Sequence, residues 1–118
     1  PMSTATAWRR SPPDLHVCAG SRLFLEAAAR AAQDSGYATT VLGDDLTGEA
    51  EVLAVHHVNR VLSGEDRPHA WLSGGEASVR VAHPQERGGR NLTYALAAAM
   101  ALDGVEGVAA LSADTDGI

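Results

Sequence analysis

The stretch from Leu72 to Asn91, LSGGEASVRVAHPQERGGRN, most restricts what this chain can fold into. Two glycine pairs, Gly74-Gly75 and Gly88-Gly89, stand on either side of a short alternating run and a polar loop. Glu76 follows the first pair, and Arg90 and Asn91 follow the second. From there Tyr94, Leu96, Ala97, Ala98, Met100, Ala101 and Leu102 give apolar positions at helical spacing. A glycine-rich loop that opens a helix leaves backbone N–H groups unpaired, and the helix dipole adds positive potential there. The start of this helix is therefore a candidate anion site. Plain turns at both glycine pairs are the competing reading.

Upstream, the pattern alternates between strand and helix. Leu15–Ala19 is a short apolar strand candidate, and Ser21 stands where it would cap a helix reaching about Ser35. Gly36 suits the left-handed position just past that helix. Tyr37–Leu42, rich in β-branched residues, predicts a second strand, and strand, helix, strand implies a parallel pair. Asp44 and Asp45 then fall in a turn at the strand's end, as solvated carboxylates or as ligands of Mg²⁺. A second helix starts at Thr47 or Gly48, takes Glu49 and Glu51 into its first turn and runs to Ser63-Gly64. His56 and His57 are adjacent on it and diverge by about 100°, which suits solvated or interfacial histidines better than a metal pair. His69–Leu72 is a third strand, Ala77–Val81 a fourth, and Gly74-Gly75 a tight antiparallel reversal between them. After the helix Asn91–Leu102, the apolar run Val108–Leu111 reads as a fifth strand. The expected fold is a layered α/β domain with a mixed sheet of roughly five strands and three helices. Residues 1–14, with Pro12-Pro13, read as a flexible leader, and residues 15–118 as the domain.

Composition narrows the function. The net charge is -6, and nine arginines supply every basic side chain. An acidic chain is a poor partner for nucleic acid. Without lysine there is no P-loop lysine, and any cationic contact comes from Arg, suited to bidentate phosphate or carboxylate binding. No apolar run reaches membrane-spanning length, and no hydrophobic region follows Arg9-Arg10 as in a secretory signal. The lone Cys18, in an apolar run, reads as a buried reduced thiol in a cytoplasmic protein. Only Gly20 follows the first strand, so the GxGxxG fingerprint of a dinucleotide-binding oxidoreductase is missing.

Taken together, SGGE, then GGRN opening an alanine-rich helix, then SADTDG resemble the C-terminal MOFRL domain of the glycerate 2-kinases. Members of that family also carry the older label hydroxypyruvate reductase. The resemblance extends upstream through Gly36-Tyr37 and Leu46-Thr47-Gly48-Glu49-Ala50. It implies transfer of the γ-phosphoryl group of ATP, with Mg²⁺, to the 2-hydroxyl of a glycerate-like anion. It also implies Glu76 and Asp116 as catalytic candidates that orient a hydroxyl or a hydrated Mg²⁺. Phosphate or substrate contacts would come from Ser73, Gly74, Gly75, Gly88, Gly89, Arg90, Asn91 and Thr115. An Arg90–Glu76 ion pair that merely holds two loops together is the alternative for those two residues. Two departures stand out: Leu92-Thr93 replace the usual Gln-Glu after GGRN, and Asp114 replaces a small glycine before Thr115-Asp116-Gly117. The resemblance further implies a larger N-terminal domain as partner, without which the chain is inactive, or a stand-alone anion-binding or self-assembling module. An edge strand at Val108–Leu111 would favour a homodimer.

Overall fold

The computed structural model describes residues 19–64, 68–80 and 88–115. Along them run α1 (Ser21–Asp34), β1 (Ala38–Glu49), α2 (Ala50–Leu62), β2 (His69–Ser78) and α3 (Arg90–Ala101). β1 and β2 pair in parallel, from Ala38 opposite His69 to Glu49 opposite Ser78. α2 is the crossover that a parallel pair requires. α1 lies against both strands, while α2 touches both and carries α3.

Local chemistry accounts for the helix ends. α1 stops in a Schellman turn: Gly36 N–H donates to Gln33 at 2.9 Å and Tyr37 N–H to Ala32 at 3.0 Å. Gly36 has φ +88, the left-handed conformation expected of it. At the other end Gly20 is the N-cap. The Ser21 hydroxyl reaches instead to the backbone carbonyl of Asp44, 2.7 Å away. The predicted Ser21 cap is thus replaced by a tie from α1 to β1.

The strands are longer than predicted, and that corrects several expectations. Asp44, Asp45, Thr47 and Gly48 lie within β1 and not in a turn or a helix start. The pairing slips between Val41 and Gly43 and again between Gly43 and Leu46, which accommodates this irregular stretch. α2 begins only at Ala50, and Glu49 pairs with Arg80 at 2.6 Å on the surface. Gly74-Gly75 make no reversal, because β2 runs straight through them to Ser78. Gly75 has φ +147 and stands opposite Leu46, where a Cβ would run into the Leu46 backbone. A Cβ on Gly74 would meet the Ser21 hydroxyl and come within 3.3 Å of Leu25. Both glycines answer to close packing under α1 and against β1.

No fourth strand forms at Ala77–Val81 within the described residues, since Ala77 and Ser78 complete β2. Val108–Leu111 is not a strand either: it has no strand partner among the described residues, and Leu111 is 90% exposed. The edge that suggested a homodimer is therefore absent there. The sheet among the described residues is two-stranded and parallel, not a five-stranded mixed one. The leader, Cys18 and Asp116 lie outside the described residues, as does the Leu15–Ala19 strand apart from Ala19.

The tightest apolar contact is between α2 and α3. Ala54, Val58 and Ala98 are buried there, with Tyr94, Ala97, Ala101 and Leu102 packed around them. Alanines at the contact let the two helices approach closely. The other side of α3 is apolar too: Leu92, Leu96 and Met100 recur every fourth residue and stay exposed. Among the described residues no helix is long and apolar enough to cross a membrane.

The close approach at Gly75 gives a direct stability test. Gly75→Ala should cost more than about 1 kcal/mol in chemical denaturation, because φ and space both reject a side chain. Gly88→Ala, where a Cβ meets nothing within 4 Å, should stay within about 0.5 kcal/mol of the parent. Equal midpoints for the two variants would contradict this packing.

Candidate anion-binding site

The first turn of α3 brings together three of the polar side chains nominated from sequence, Glu76, Arg90 and Asn91. Gly89 is its N-cap, with extended backbone and no side-chain cap. The first backbone bond of the helix runs from Thr93 N–H to the Gly89 carbonyl at 2.9 Å. The N–H groups before it have no partner within the helix. Among the described residues, no atom beyond the flanking ones lies within 4 Å of a Cβ built on Gly88 or Gly89.

Arg90 leads the turn. Its Nη1 donates to Glu76 Oε1 on β2, and its Nη2 donates to Asp114 Oδ1 at 3.3 Å. The hydrogen bond that Arg90 donates to Asp114, then the charge of Glu76, raise the guanidinium above its ordinary value. The Arg90 side chain is 32% exposed. A guanidinium has five N–H donors, and described residues engage two of them.

Two further bonds fasten the same turn. Ser112 Oγ donates to Asn91 Oδ1 at 2.8 Å, linking it to the C-terminal stretch. The Tyr94 hydroxyl and His57 Nδ1 lie 2.8 Å apart, linking it to α2. Burial, then the neighbouring His56, push His57 below its ordinary value, and burial pushes Tyr94 up. His57 is thus interfacial, as expected of that pair, while His56 is exposed. An open apolar groove along α2, lined by Val52, Val55, His56 and Asn59 with Glu51, includes none of the nominated residues.

The other nominated residues divide. Gly88, Gly89, Arg90, Asn91 and Glu76 come together at the start of α3. Gly74 and Gly75 are committed to packing against α1 and β1, and Ser73 is an exposed β2 residue paired with Gly43. Thr115 is exposed one residue beyond Asp114, and Asp116 lies outside the described residues. Asp44 is half-buried and Asp45 exposed, inside β1. Among the described residues no three His, Cys, Asp or Glu side chains converge. Glu76 and Asp114 do converge, but on Arg90.

Sequence reasoning passed over four contributors: His57, Tyr94, Ser112 and Asp114 as a partner of Arg90. Asp114 had drawn notice as an unusual carboxylate beside Thr115. Its pairing across 24 residues needed the fold.

Residues 69–118 match the MOFRL family. Two proteins of Agrobacterium vitis, each named "Putative hydroxypyruvate reductase", are 40% and 39% identical over 112 residues, or 89% of this chain. A D-glycerate 2-kinase of Thermotoga maritima is 32% identical over 110 residues, 88% of the chain. The chain spans only 26%, 29% and 26% of these relatives' lengths, respectively. The crystal structure of the PH0495 protein of Pyrococcus horikoshii OT3 superposes with a TM-score of 0.63 at 26% identity. That match covers 79% of this chain and 23% of the other.

The Ser112–Asn91 bond is half-buried, so its loss should register. Ser112→Ala should lower stability by about 1 kcal/mol, the net worth of one hydrogen bond. Amide signals of 108–115 should broaden or shift, while those of α1 stay in place. An unchanged unfolding midpoint with unchanged signals would count against the link.

Proposed function

We propose that this chain, whose residues 69–118 are of the MOFRL family, supplies one wall of a phosphoryl-transfer site. The substrate class is a small hydroxy acid of the glycerate type. The carrying observation is Arg90, partly exposed beside Gly88-Gly89 at the start of α3 and held there by Glu76 and Asp114.

Arg90 binds the carboxylate or a phosphate oxygen through a paired set of N–H donors. The unpaired N–H groups of the α3 first turn add to the same contact. The arrangement carries two carboxylates on one guanidinium, so an arriving anion takes over a donor edge from Glu76 or Asp114. Glu76, 71% exposed on its side chain, is the freer of the two to turn away. Released beside the bound substrate, its carboxylate accepts a hydrogen bond from the substrate hydroxyl and orients it. Thr115 and Asp116 stay in the proposal as the resemblance implies them, for substrate contact and hydroxyl orientation. Ser73, Gly74 and Gly75 enter the proposal as packing that sets Glu76 in place.

ATP, with Mg²⁺, supplies the phosphoryl group when bound; both come from the family's chemistry. Asp44 and Asp45, adjacent in β1, belong to no larger group of three or more converging His, Cys, Asp or Glu side chains among the described residues. The length of the relatives and the exposed Leu92, Leu96 and Met100 support a site completed by further protein. A helix apolar on both sides is the pattern of one covered on both. A cytoplasmic setting accords with such metabolic chemistry. The second reading, a stand-alone small-anion-binding module, is favoured by the helix-start geometry alone.

Titration with inorganic phosphate and with D-glycerate, followed by amide NMR, tests the anion contact. The largest shifts should fall on Gly89, Arg90 and Asn91. Arg90→Ala should weaken binding about tenfold, the loss of a charge-assisted hydrogen bond. Small uniform shifts over the surface, or undiminished binding by Arg90→Ala, would overturn the assignment. A coupled ADP assay on the chain alone should read no glycerate phosphorylation above the blank. Turnover abolished by Arg90→Ala would instead show that the chain holds a complete site.

A further inference from the structure

We propose that the His57–Tyr94 hydrogen bond is the tie that positions the first turn of α3, and with it Arg90, and that the charge a proton places on buried His57 weakens this docking. The geometry carries this inference. Tyr94 lies one turn along from Arg90, so the two side chains share a face of the helix. The tie spans 37 residues and 2.8 Å, with only 8% of His57 exposed. Below it, Ala54 and Val58 of α2 pack on Ala98 of α3, so the helices touch apolar surface to apolar surface. Such a contact can slide or roll at little cost, whereas a hydrogen bond fixes register. The His57–Tyr94 pair sits at the end of that contact nearest Arg90. Movement there shifts the guanidinium away from Glu76 on β2 and from Asp114.

The neighbours of His57 give the direction of the pH response. From its own helix, His56 is the charged neighbour that acts on it, and from α3 its titratable partner is Tyr94. α2 also touches β1 and β2. A proton on His57 is buried next to a second imidazole, that of His56. Burial and His56 hold the folded imidazole below its ordinary value. Below about pH 6.5 the unfolded or undocked chain then binds more protons than the docked one. Docking of α3 is at full strength above that pH and is lost as pH falls from there through the depressed folded value. Tyr94, pushed up by burial, stays neutral throughout this range.

His57 and Tyr94 act as positioning residues, through the helix, on the same turn as the proposed anion contact. The test uses no ligand, so it stands apart from the fate of that reading. Amide hydrogen exchange of the whole chain is followed by NMR between pH 5 and 8, corrected for intrinsic rates. In the unaltered protein, protection of Thr93–Ala97 should fall with acid while protection of α1 holds. The Arg90 Nε–H signal should sharpen toward its solvent-exposed position over the same range. His57→Gln, which keeps a hydrogen-bonding group without a titration, should flatten the response, and His56→Gln should leave it in place. Tyr94→Phe should raise exchange in that turn about fivefold, the equivalent of one net hydrogen bond. Protection independent of pH, or an acid response that survives His57→Gln, overturns the proposal. So does a Tyr94→Phe effect spread equally over α1 and α3, which would mark a general stabiliser.

Discussion

At Gly75 the backbone of β2 comes so close to the backbone of Leu46 in β1 that no side chain fits between them. Much of the described fold follows from that approach. The glycine lets β2 continue as a strand beyond Ser73, carrying Glu76 along the sheet. Its neighbour Gly74 leaves room for Ser21 and Leu25, so α1 can settle across both strands. With β1 and β2 locked in parallel, α2 has to serve as their crossover. α2 then presents Ala54, His57 and Val58 as the surface on which α3 docks.

α3 closes the circuit. It docks on α2 through alanines and Tyr94, and its first residue reaches back to Glu76 on β2. Arg90 is thereby tied to the strand that the glycine pair extended, and to Asp114 beyond the helix. Exposed ion pairs contribute little to stability, so this arrangement is better understood as aiming a guanidinium than as holding the fold. The small core fits the same view. Leu25 and Val58 are the largest apolar side chains buried among the described residues, while Leu92, Leu96 and Met100 line an exposed side of α3. The relatives are about four times as long, in keeping with a helix meant to be covered on both sides.

All three helices were legible in the sequence, because each repeats apolar residues at helical spacing over three turns or more. The Gly36 stop was legible as well. The strands were read short. Gly43-Asp44-Asp45 and Ser73-Gly74-Gly75 have turn composition, yet both continue as strand. Strand preference reflects the fit to a neighbour, and the sequence does not reveal which backbone will lie beside a glycine. Val108–Leu111 failed in the opposite sense: its residues suit a strand, but no partner strand accompanies it among the described residues. At the site, Arg90, Asn91 and Glu76 were found from local motifs. Tyr94 was read only as an apolar position and His57 only as interfacial. Their pairing, like that of Asp114 with Arg90, depends on contacts between distant stretches of chain.

The central claim is that the first turn of α3, held by β2, α2 and residues 112–114, presents Arg90 to a small anion. A crystal structure of the protein grown or soaked in phosphate tests it most directly. The account predicts phosphate oxygens about 3 Å from the Arg90 guanidinium and from the first-turn N–H groups. Glu76 or Asp114 should have yielded its place, with the His57–Tyr94 and Ser112–Asn91 bonds intact. Phosphate bound elsewhere, with Arg90 still closed between both carboxylates, would contradict it.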